Sequence, residues 1–179
     1  ANICIENDLW VLSDEAYYEI RYSHKPPISI ASFPGMKERT VILYTFSKRF
    51  AMTGWRVGAS VGPKKIVKHI AKLNINDESC TNHFIQCALA SVMDKVDEDA
   101  KSMLNKLKGR RDICVNLLKS IRGLSLFTPD STFYLYLNVG ELMENKNIKH
   151  LEKFRIGALK NTGVSFCTRS HFGSLNTRQ

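Results

Sequence analysis

One lysine placed just after an apolar run constrains this chain more than any other feature. Residues 41–44 are apolar or aromatic and rich in β-branched side chains, a pattern typical of a buried strand. Lys48 follows the end of that strand, and Arg56 opens a second apolar run at 57–62. Because burial favours the neutral form of an amine, a lysine in such a position is suited to react with a carbonyl group. A basic surface loop is the alternative interpretation of this stretch.

A second group of reactive side chains follows another apolar run. Residues 9–13 are predicted to form a short strand, which leads into Asp14 and Tyr17. We expect the two strands to deliver a carboxylate, a phenol, an amine and a guanidinium to one edge of a sheet. The adjacent Glu15 is expected on the opposite face, because neighbouring residues of a strand alternate in direction.

The spacing of these residues resembles that of the class I aminotransferases, which are pyridoxal-phosphate enzymes of fold type I. The matching motifs are Asp14-x-x-Tyr17, Thr45-x-Ser47-Lys48 and Gly54-x-Arg56-x-Gly58. The separation of Asp14 from Lys48 along the chain also fits the family. Family members more often carry Ser or Gly where Thr45 stands, but threonine keeps the hydroxyl group.

The resemblance implies a role for each residue in binding pyridoxal 5′-phosphate. Lys48 would bind the aldehyde of the cofactor and then act as the general base that moves the α-proton of the substrate. Asp14 would keep the pyridine nitrogen protonated, and Tyr17 would donate a hydrogen bond to the 3′-oxygen. The alternatives are a surface ion pair for Lys48, a turn after a strand for Asp14, and Tyr18 in place of Tyr17.

Three further residues are implied to hold the phosphate group. The guanidinium of Arg56 would bind phosphate oxygens bidentately, and the hydroxyl of Thr45 would add one more donor. Ser47, next to the lysine, resembles a second hydroxyl near the phosphate. A structural salt bridge is the alternative role for Arg56.

The resemblance also implies the fold, which is α/β. We expect part of the large cofactor-binding domain of a fold-type-I aminotransferase, with a mixed, mostly parallel sheet and helices, plus a small α+β C-terminal domain. The predicted boundaries are 1–97 for the C-terminal part of the large domain, 98–122 for a long connecting helix, and 123–179 for an incomplete small domain.

Apolar periodicity predicts the individual elements. Residues 74–82 are polar and are predicted to form a loop. The predicted helices begin near residues 63, 84, 97 and 148, the last ending near Gly163. The predicted strands are 9–13, 40–46, 56–62, 124–127, 133–139 and a last one from 164.

Charge and composition exclude several other classes. The formal net charge is +9, but the basic residues are spread along predicted helices and not interleaved with aromatics, so we expect no nucleic-acid partner. No apolar run is long enough to span a membrane, so we expect no membrane partner, and the unpaired cysteines are typical of a cytoplasmic protein. The five scattered cysteines form no C-x-x-C pair, and we expect them to be reduced and buried. The five histidines lack the spacing of metal ligands.

The chain opens without Met and stops in a polar stretch, so we expect a fragment, the C-terminal half of a longer enzyme. The resemblance implies that the arginine for the substrate carboxylate lies outside the chain and that the full-length protein is a homodimer. The isolated fragment is expected to be inactive.

The predicted reaction is the transfer of an amino group between an amino acid and a 2-oxo acid. Aspartate or alanine with 2-oxoglutarate are the candidate substrates. A lyase, synthase or decarboxylase that uses the same cofactor is one alternative. A catalytically silent basic fragment with a binding role is the other.

Overall fold

A computed structural model describes residues 1–173, which divide into two compact units. The first unit contains residues 1–111 together with 129–133, and the second contains 112–128 and the residues from 134 onward. The predicted domain boundaries at 97 and 122 concern the domains of a full-length protein and stay a prediction.

A three-stranded mixed sheet forms the centre of the first unit. Its strands are β1 (Val11–Asp14), β2 (Thr40–Thr45) and β3 (Gly58–Val61), in the order β1-β2-β3. β1 runs parallel to β2, with Asp14 opposite Leu43. β3 runs antiparallel to β2, with Gly58 opposite Thr45. The three strands predicted from apolar runs are therefore present. The sheet is mixed as expected, but one of its two pairings is parallel and the other antiparallel, so the described residues do not show the mostly parallel sheet that was expected.

Helices of very different length complete the first unit. A single-turn helix, α2, follows β2 directly and contains Lys48. Pro63 immediately precedes α3, as its fixed φ angle predicts. α3 continues through Asp77, so the prediction of a loop from residue 74 was wrong at its start. The asparagines do not stop the helix, because its hydrogen-bond ladder runs on to the amide of Glu78, which donates to Asn74. The helices are α1 (Asn2–Glu6), α2 (Phe46–Arg49), α3 (Lys64–Asp77), α4 (His83–Val92) and α5 (Asp97–Lys119), of which the last is shared between the two units.

The second unit has less regular structure than the sequence predicts. The predicted strands at 124–127 and 133–139 shrink to β4 (Ser125–Leu126) and β5 (Leu137–Asn138), which pair antiparallel. Residues 164–167 are not a strand, since they have no ladder partner within the described part of the chain. Two helices follow β5: α6 (Gly140–Asn145), which was not predicted, and α7 (Leu151–Thr162). Gly163 ends α7 with a φ of 73°, as expected of a glycine at a helix C-terminus.

Several of the most deeply buried side chains of the first unit lie in the sheet or next to its strands in sequence. Met36 and Thr40 are fully buried, and Val41 of β2 and Val57, which precedes β3, are nearly so. The expectation of buried cysteines was wrong for Cys80, Cys87, Cys114 and Cys167, which are exposed, although all five are free thiols. Within residues 1–173, no helix combines the length and the low polarity needed to cross a bilayer.

Candidate active site

The ends of three strands meet at one edge of the sheet. Because β1 and β2 are parallel, Asp14 and Thr45 both stand where their strands finish. β3 is antiparallel, so its beginning faces the end of β2, and Arg56 lies just before that beginning. Residues that are far apart in sequence, Asp14, Thr45 and Arg56, are thus brought to the same edge by the register of the sheet.

Close approach of β2 and β3 at this edge requires a glycine. A Cβ atom built on Gly58 would lie 2.7 Å from the carbonyl oxygen of Tyr44, well inside van der Waals contact. The amide of Phe46 continues the pairing by donating to the carbonyl of Val57 at 3.3 Å. The second glycine of the predicted phosphate motif therefore has a structural role in holding Arg56 and Thr45 at the same strand end.

Lys48 projects toward two aromatic rings. Its Nζ atom lies 5.7 Å from the ring centroid of Tyr17 and 5.9 Å from that of Phe133, and the residue is half-buried. The two rings pack edge to face, with centroids 5.4 Å apart. At these distances the ammonium is held near the negative faces of the rings. The amine and the phenol predicted to act together are therefore neighbours.

Phe133 is a residue that the sequence interpretation missed, because it was placed in a strand of the small domain. The structure instead pairs residues 130–132 with residues 20–22. The amide of Tyr22 donates to the carbonyl of Asp130 at 2.8 Å, and the amide of Thr132 donates to the carbonyl of Ile20 at 2.9 Å. The Tyr22 hydroxyl adds a bond to the carbonyl of Thr132 at 2.5 Å. This pairing joins distant parts of the chain and leaves no local pattern from which it could have been predicted.

Asp14 and Glu15, the neighbouring carboxylates at the end of β1, have different surroundings, as the alternating direction of strand residues predicts. The Oδ1 atom of Asp14 accepts a hydrogen bond from the amide of Ala16 at 3.1 Å, as in an Asx turn, and the residue is exposed. Glu15 is half-buried and accepts hydrogen bonds from the hydroxyls of Ser13 and Ser29. Glu15 is thus committed to a structural network, and Asp14 is the carboxylate that faces outward at the sheet edge.

The adjacent residues Tyr17 and Tyr18 also make different contacts. The hydroxyl of Tyr18 donates to the carbonyl of Pro27 at 3.3 Å. Tyr17 is the one whose ring lies beside Lys48. The position chosen from spacing is therefore the position next to the amine.

The residues predicted to hold a phosphate group are engaged with the backbone. Thr45 caps α2 by accepting a hydrogen bond from the amide of Ser47 at 3.2 Å, and its hydroxyl makes a long bond to the carbonyl of Val57 at 3.4 Å. Arg56 has a left-handed backbone, with a φ of 51°, and its Nη1 atom donates to the carbonyl of Thr53 at 2.8 Å. Ser47 is buried. Arg56 and Thr45 share the edge of the sheet, but no contact joins the Arg56 side chain to Lys48 among the described residues.

A polar network surrounds Arg49, the residue that follows Lys48. Arg49 forms ion pairs with Glu19 and with Asp97 at the start of α5. The second carboxylate oxygen of Glu19 accepts a hydrogen bond from the hydroxyl of Tyr44 at 2.6 Å. Burial, followed by the hydrogen bond with Glu19, raises the pKa of Tyr44 to about 12. Burial by itself would lower the pKa of Arg49, but the hydrogen bond with Tyr44 and the charge of Glu19 raise it above its ordinary value.

A cavity of about 230 Å³ opens between this network and α5. Lys48, Arg49 and Glu19 line its polar side. Met103, Leu104 and Leu107 line its apolar side. Lys48 therefore borders open space as well as the two aromatic rings.

The donor set fits pyridoxal phosphate in its chemistry. An amine beside a phenol suits the aldehyde and the neighbouring ring oxygen of the cofactor. A guanidinium at the same edge suits a phosphate, and a carboxylate at the end of a parallel strand suits the ring nitrogen by its charge. Asp14 is exposed and accepts the hydrogen bond of an Asx turn, however, whereas the role on the ring nitrogen calls for a buried carboxylate. The agreement with pyridoxal phosphate therefore rests on the types of residue that lie at one edge of the sheet.

Comparison with known proteins points in the same direction. A family profile described as "Aminotransferase class I and II" matches residues 1–174. An aspartate aminotransferase from Musicola paradisiaca is 31% identical over 175 residues, which cover 98% of this chain and 43% of that protein. A kynurenine–oxoglutarate transaminase 3 from Bos taurus is 32% identical over 191 residues, which cover 99% of this chain and 42% of that protein.

Solved structures of aminotransferases share the fold. N-succinyldiaminopimelate aminotransferase from Mycobacterium tuberculosis superposes with a TM-score of 0.89 at 25% identity, over 98% of this chain and 44% of that one. An aromatic aminotransferase from Pyrococcus horikoshii gives a TM-score of 0.86 at 31% identity, over 97% of this chain and 45% of that one. The chain thus spans less than half the length of each of these relatives.

Proposed function

We propose, since this chain belongs to the aminotransferase class I and II family, that its full-length protein transfers an amino group between an amino acid and a 2-oxo acid. Members of this family depend on pyridoxal phosphate. The observation that carries the proposal is the position of Lys48, with its Nζ atom 5.7 Å from the ring of Tyr17 and near the end of a parallel pair of strands.

When bound, pyridoxal phosphate supplies an electron sink that stabilises negative charge at the α-carbon of the substrate. Lys48 would hold the cofactor through its aldehyde group and would serve as the general base for the α-proton of the substrate. The hydroxyl of Tyr17 would donate a hydrogen bond to the ring oxygen of the cofactor. The carboxylate of Asp14 would accept a hydrogen bond from the protonated ring nitrogen.

We assign the phosphate to Arg56 and Thr45, and Ser47 to a supporting hydroxyl group. Arg56 is exposed and uses one of its guanidinium atoms on the carbonyl of Thr53, so its other N–H groups remain to bind phosphate oxygens. Thr45 has a single hydroxyl proton, which must leave the carbonyl of Val57 to serve a phosphate. The long bond of 3.4 Å makes that exchange inexpensive.

The proposal extends to the whole protein in several ways. We assign the first 97 residues to the C-terminal part of a large cofactor-binding domain, 98–122 to a connecting helix and 123–179 to a small C-terminal domain. We propose a cytoplasmic homodimer in which aspartate or alanine with 2-oxoglutarate are the candidate substrates. The chain covers 43% of the aspartate aminotransferase from Musicola paradisiaca. We therefore propose that residues outside the chain complete the active site.

The assignment of Lys48 is tested by trapping the cofactor. The full-length protein is mixed with pyridoxal phosphate, reduced with borohydride and digested, and the mass of each lysine peptide is measured. We expect a stable cofactor adduct at Lys48, and none at that position in Lys48→Ala. Lys64→Ala is the matched control, because Lys64 is an exposed lysine at the start of α3, and its adduct yield at Lys48 should equal that of the wild type. An adduct spread over surface lysines, with none favoured at Lys48, would count against the assignment.

The type of reaction is tested by product analysis. With an amino acid and 2-oxoglutarate, amino transfer forms glutamate, whereas elimination releases ammonia. Formation of ammonia or carbon dioxide without glutamate would show that the same residues serve a lyase or a decarboxylase reaction instead of amino transfer. Salt-sensitive binding of nucleic acid together with indifference to pyridoxal phosphate would instead favour a basic binding module.

A further inference from the structure

The helix that carries Lys48 is too short to fix its own orientation. α2 is a single turn, Phe46–Arg49, and isolated helices of this length are not stable in water. Thr45 caps its start, but after Arg49 the chain turns away through Ala51, which has a positive φ of 52°. The direction of the Lys48 side chain therefore depends on the contacts that α2 makes with other segments.

Arg49, the neighbour of Lys48, makes an ion pair that is largely withdrawn from water. Its Nη1 atom pairs with one carboxylate oxygen of Glu19, and the two side chains are only 20% and 30% exposed. The other oxygen of Glu19 accepts the hydrogen bond from Tyr44 at 2.6 Å. Because this pair is largely withdrawn from water and both oxygens of Glu19 are used, removal of either partner leaves a poorly solvated charge.

The ion pair joins the same two segments that carry the amine and the phenol. Tyr17 and Glu19 lie on one tight turn after β1, in which the amide of Ile20 donates to the carbonyl of Tyr17 at 3.0 Å. Lys48 and Arg49 are adjacent in α2. The Glu19–Arg49 ion pair is thus a second connection, beside the contact of Lys48 with Tyr17, between that turn and α2.

We propose that Glu19 is a positioning residue, which acts through Arg49 to hold Lys48 beside Tyr17. The inference rests on the proposed function, in which Lys48 and Tyr17 act on one cofactor. Tyr44 supports the arrangement because its hydroxyl stays protonated and continues to donate to Glu19 at neutral pH. A small displacement of a reacting group is sufficient to slow an enzyme, so this ion pair should matter for rate more than for substrate binding.

The experiment compares Glu19→Gln with a matched variant in the full-length protein. Glu19→Gln keeps the size of the side chain but removes its charge. We expect kcat to fall about tenfold or more, while KM for the amino acid changes by less than about twofold. The rate at which pyridoxal phosphate forms a borohydride-trapped adduct at Lys48 should fall in parallel. Asp8→Asn is the control, since it also breaks an ion pair with an arginine, Asp8–Arg39, at the opposite end of β2, and it should change neither quantity.

Substitutions of Arg49 provide the second arm. Arg49→Lys keeps a positive charge within reach of Glu19 and should keep more of the adduct rate than Arg49→Met. Thermal unfolding is followed for every variant. If Glu19→Gln does not fold, the adduct rates of Arg49→Lys and Arg49→Met test the positioning role. Equal adduct rates and kcat values in Glu19→Gln, Arg49→Met and Asp8→Asn would overturn the positioning role while the proposed function stands. Absence of an adduct at Lys48 in the wild type would overturn both.

Discussion

Replacement of Gly58 by alanine tests how closely β2 and β3 approach at the candidate site. The added Cβ atom would lie 2.7 Å from the carbonyl oxygen of Tyr44 and 3.7 Å from the Cα atom of Thr45. A normal contact needs roughly half an ångström more, so the strands must separate locally, at an overpacking cost of about 1–3 kcal/mol. Alanine also lowers the conformational entropy of the unfolded chain, which offsets about 0.4–1 kcal/mol of this cost. We therefore expect a net loss of about 1–2 kcal/mol in the free energy of unfolding.

Urea unfolding followed by circular dichroism measures this loss, with an unchanged m value as the sign that only stability has changed. Gly54→Ala is the matched control, because a Cβ atom at Gly54 would meet nothing within 4 Å. The control should be neutral or slightly stabilising. We also expect faster hydrogen exchange at the amide of Phe46, whose bond to Val57 closes this end of the ladder. If Gly58→Ala and Gly54→Ala unfold at the same urea concentration, the close approach inferred at this strand end is wrong.

Three further predictions concern single hydroxyl groups. Because burial and then the hydrogen bond with Glu19 raise the pKa of Tyr44 to about 12, the stability from this phenol is fully present below its unfolded value of about 10 and is lost as the pH rises through 12. Absorbance titration should show one late-ionising tyrosine that Tyr44→Phe removes, and an unchanged titration would refute this. Thr45→Val removes the cap of α2 and should lower the free energy of unfolding by about 1 kcal/mol, as measured in urea. Thr45→Ser keeps the hydroxyl group and should lose much less. Equal stability of the two variants would show that the cap contributes nothing. The hydrogen bond from Thr168, followed by that from Arg155, lowers the pKa of Glu152, so Thr168→Val should raise it. NMR titration of the carboxyl carbon checks this, and the stability from Glu152, present above its unfolded pKa and lost as the pH falls, should shrink in the variant.

The site motifs were predictable because strands and their ends leave local signals. The apolar runs identified β1, β2 and β3, and the polar residues after each run were expected at an edge of the sheet. Parallel pairing of β1 with β2 then brought Asp14 and Thr45 to one edge of the sheet. The roles assigned to these residues in binding a cofactor stay predictions, since no measurement on the chain tests them.

The second unit was harder to predict, and for a physical reason. The strand expected from Val164 lacks a partner within the described residues, and the strand at 133–139 lost most of its length. An alternating apolar pattern shows that a segment can form a strand, but the ladder forms only where another segment pairs with it. Phe133 illustrates the point, because the pairing of residues 130–132 with 20–22 places it next to Lys48 in the first unit.

The sequence by itself determined the family, the order of the strands along the chain and which polar residues follow their ends, because these depend on residue types at short spacings. Only the tertiary structure decided what surrounds Lys48: the ring of Phe133, the ion pair of Arg49 with Glu19, and the hydrogen bond from Tyr44. Those contacts join segments that are distant in sequence, and their energies depend on burial and on distances that exist only once the chain has folded.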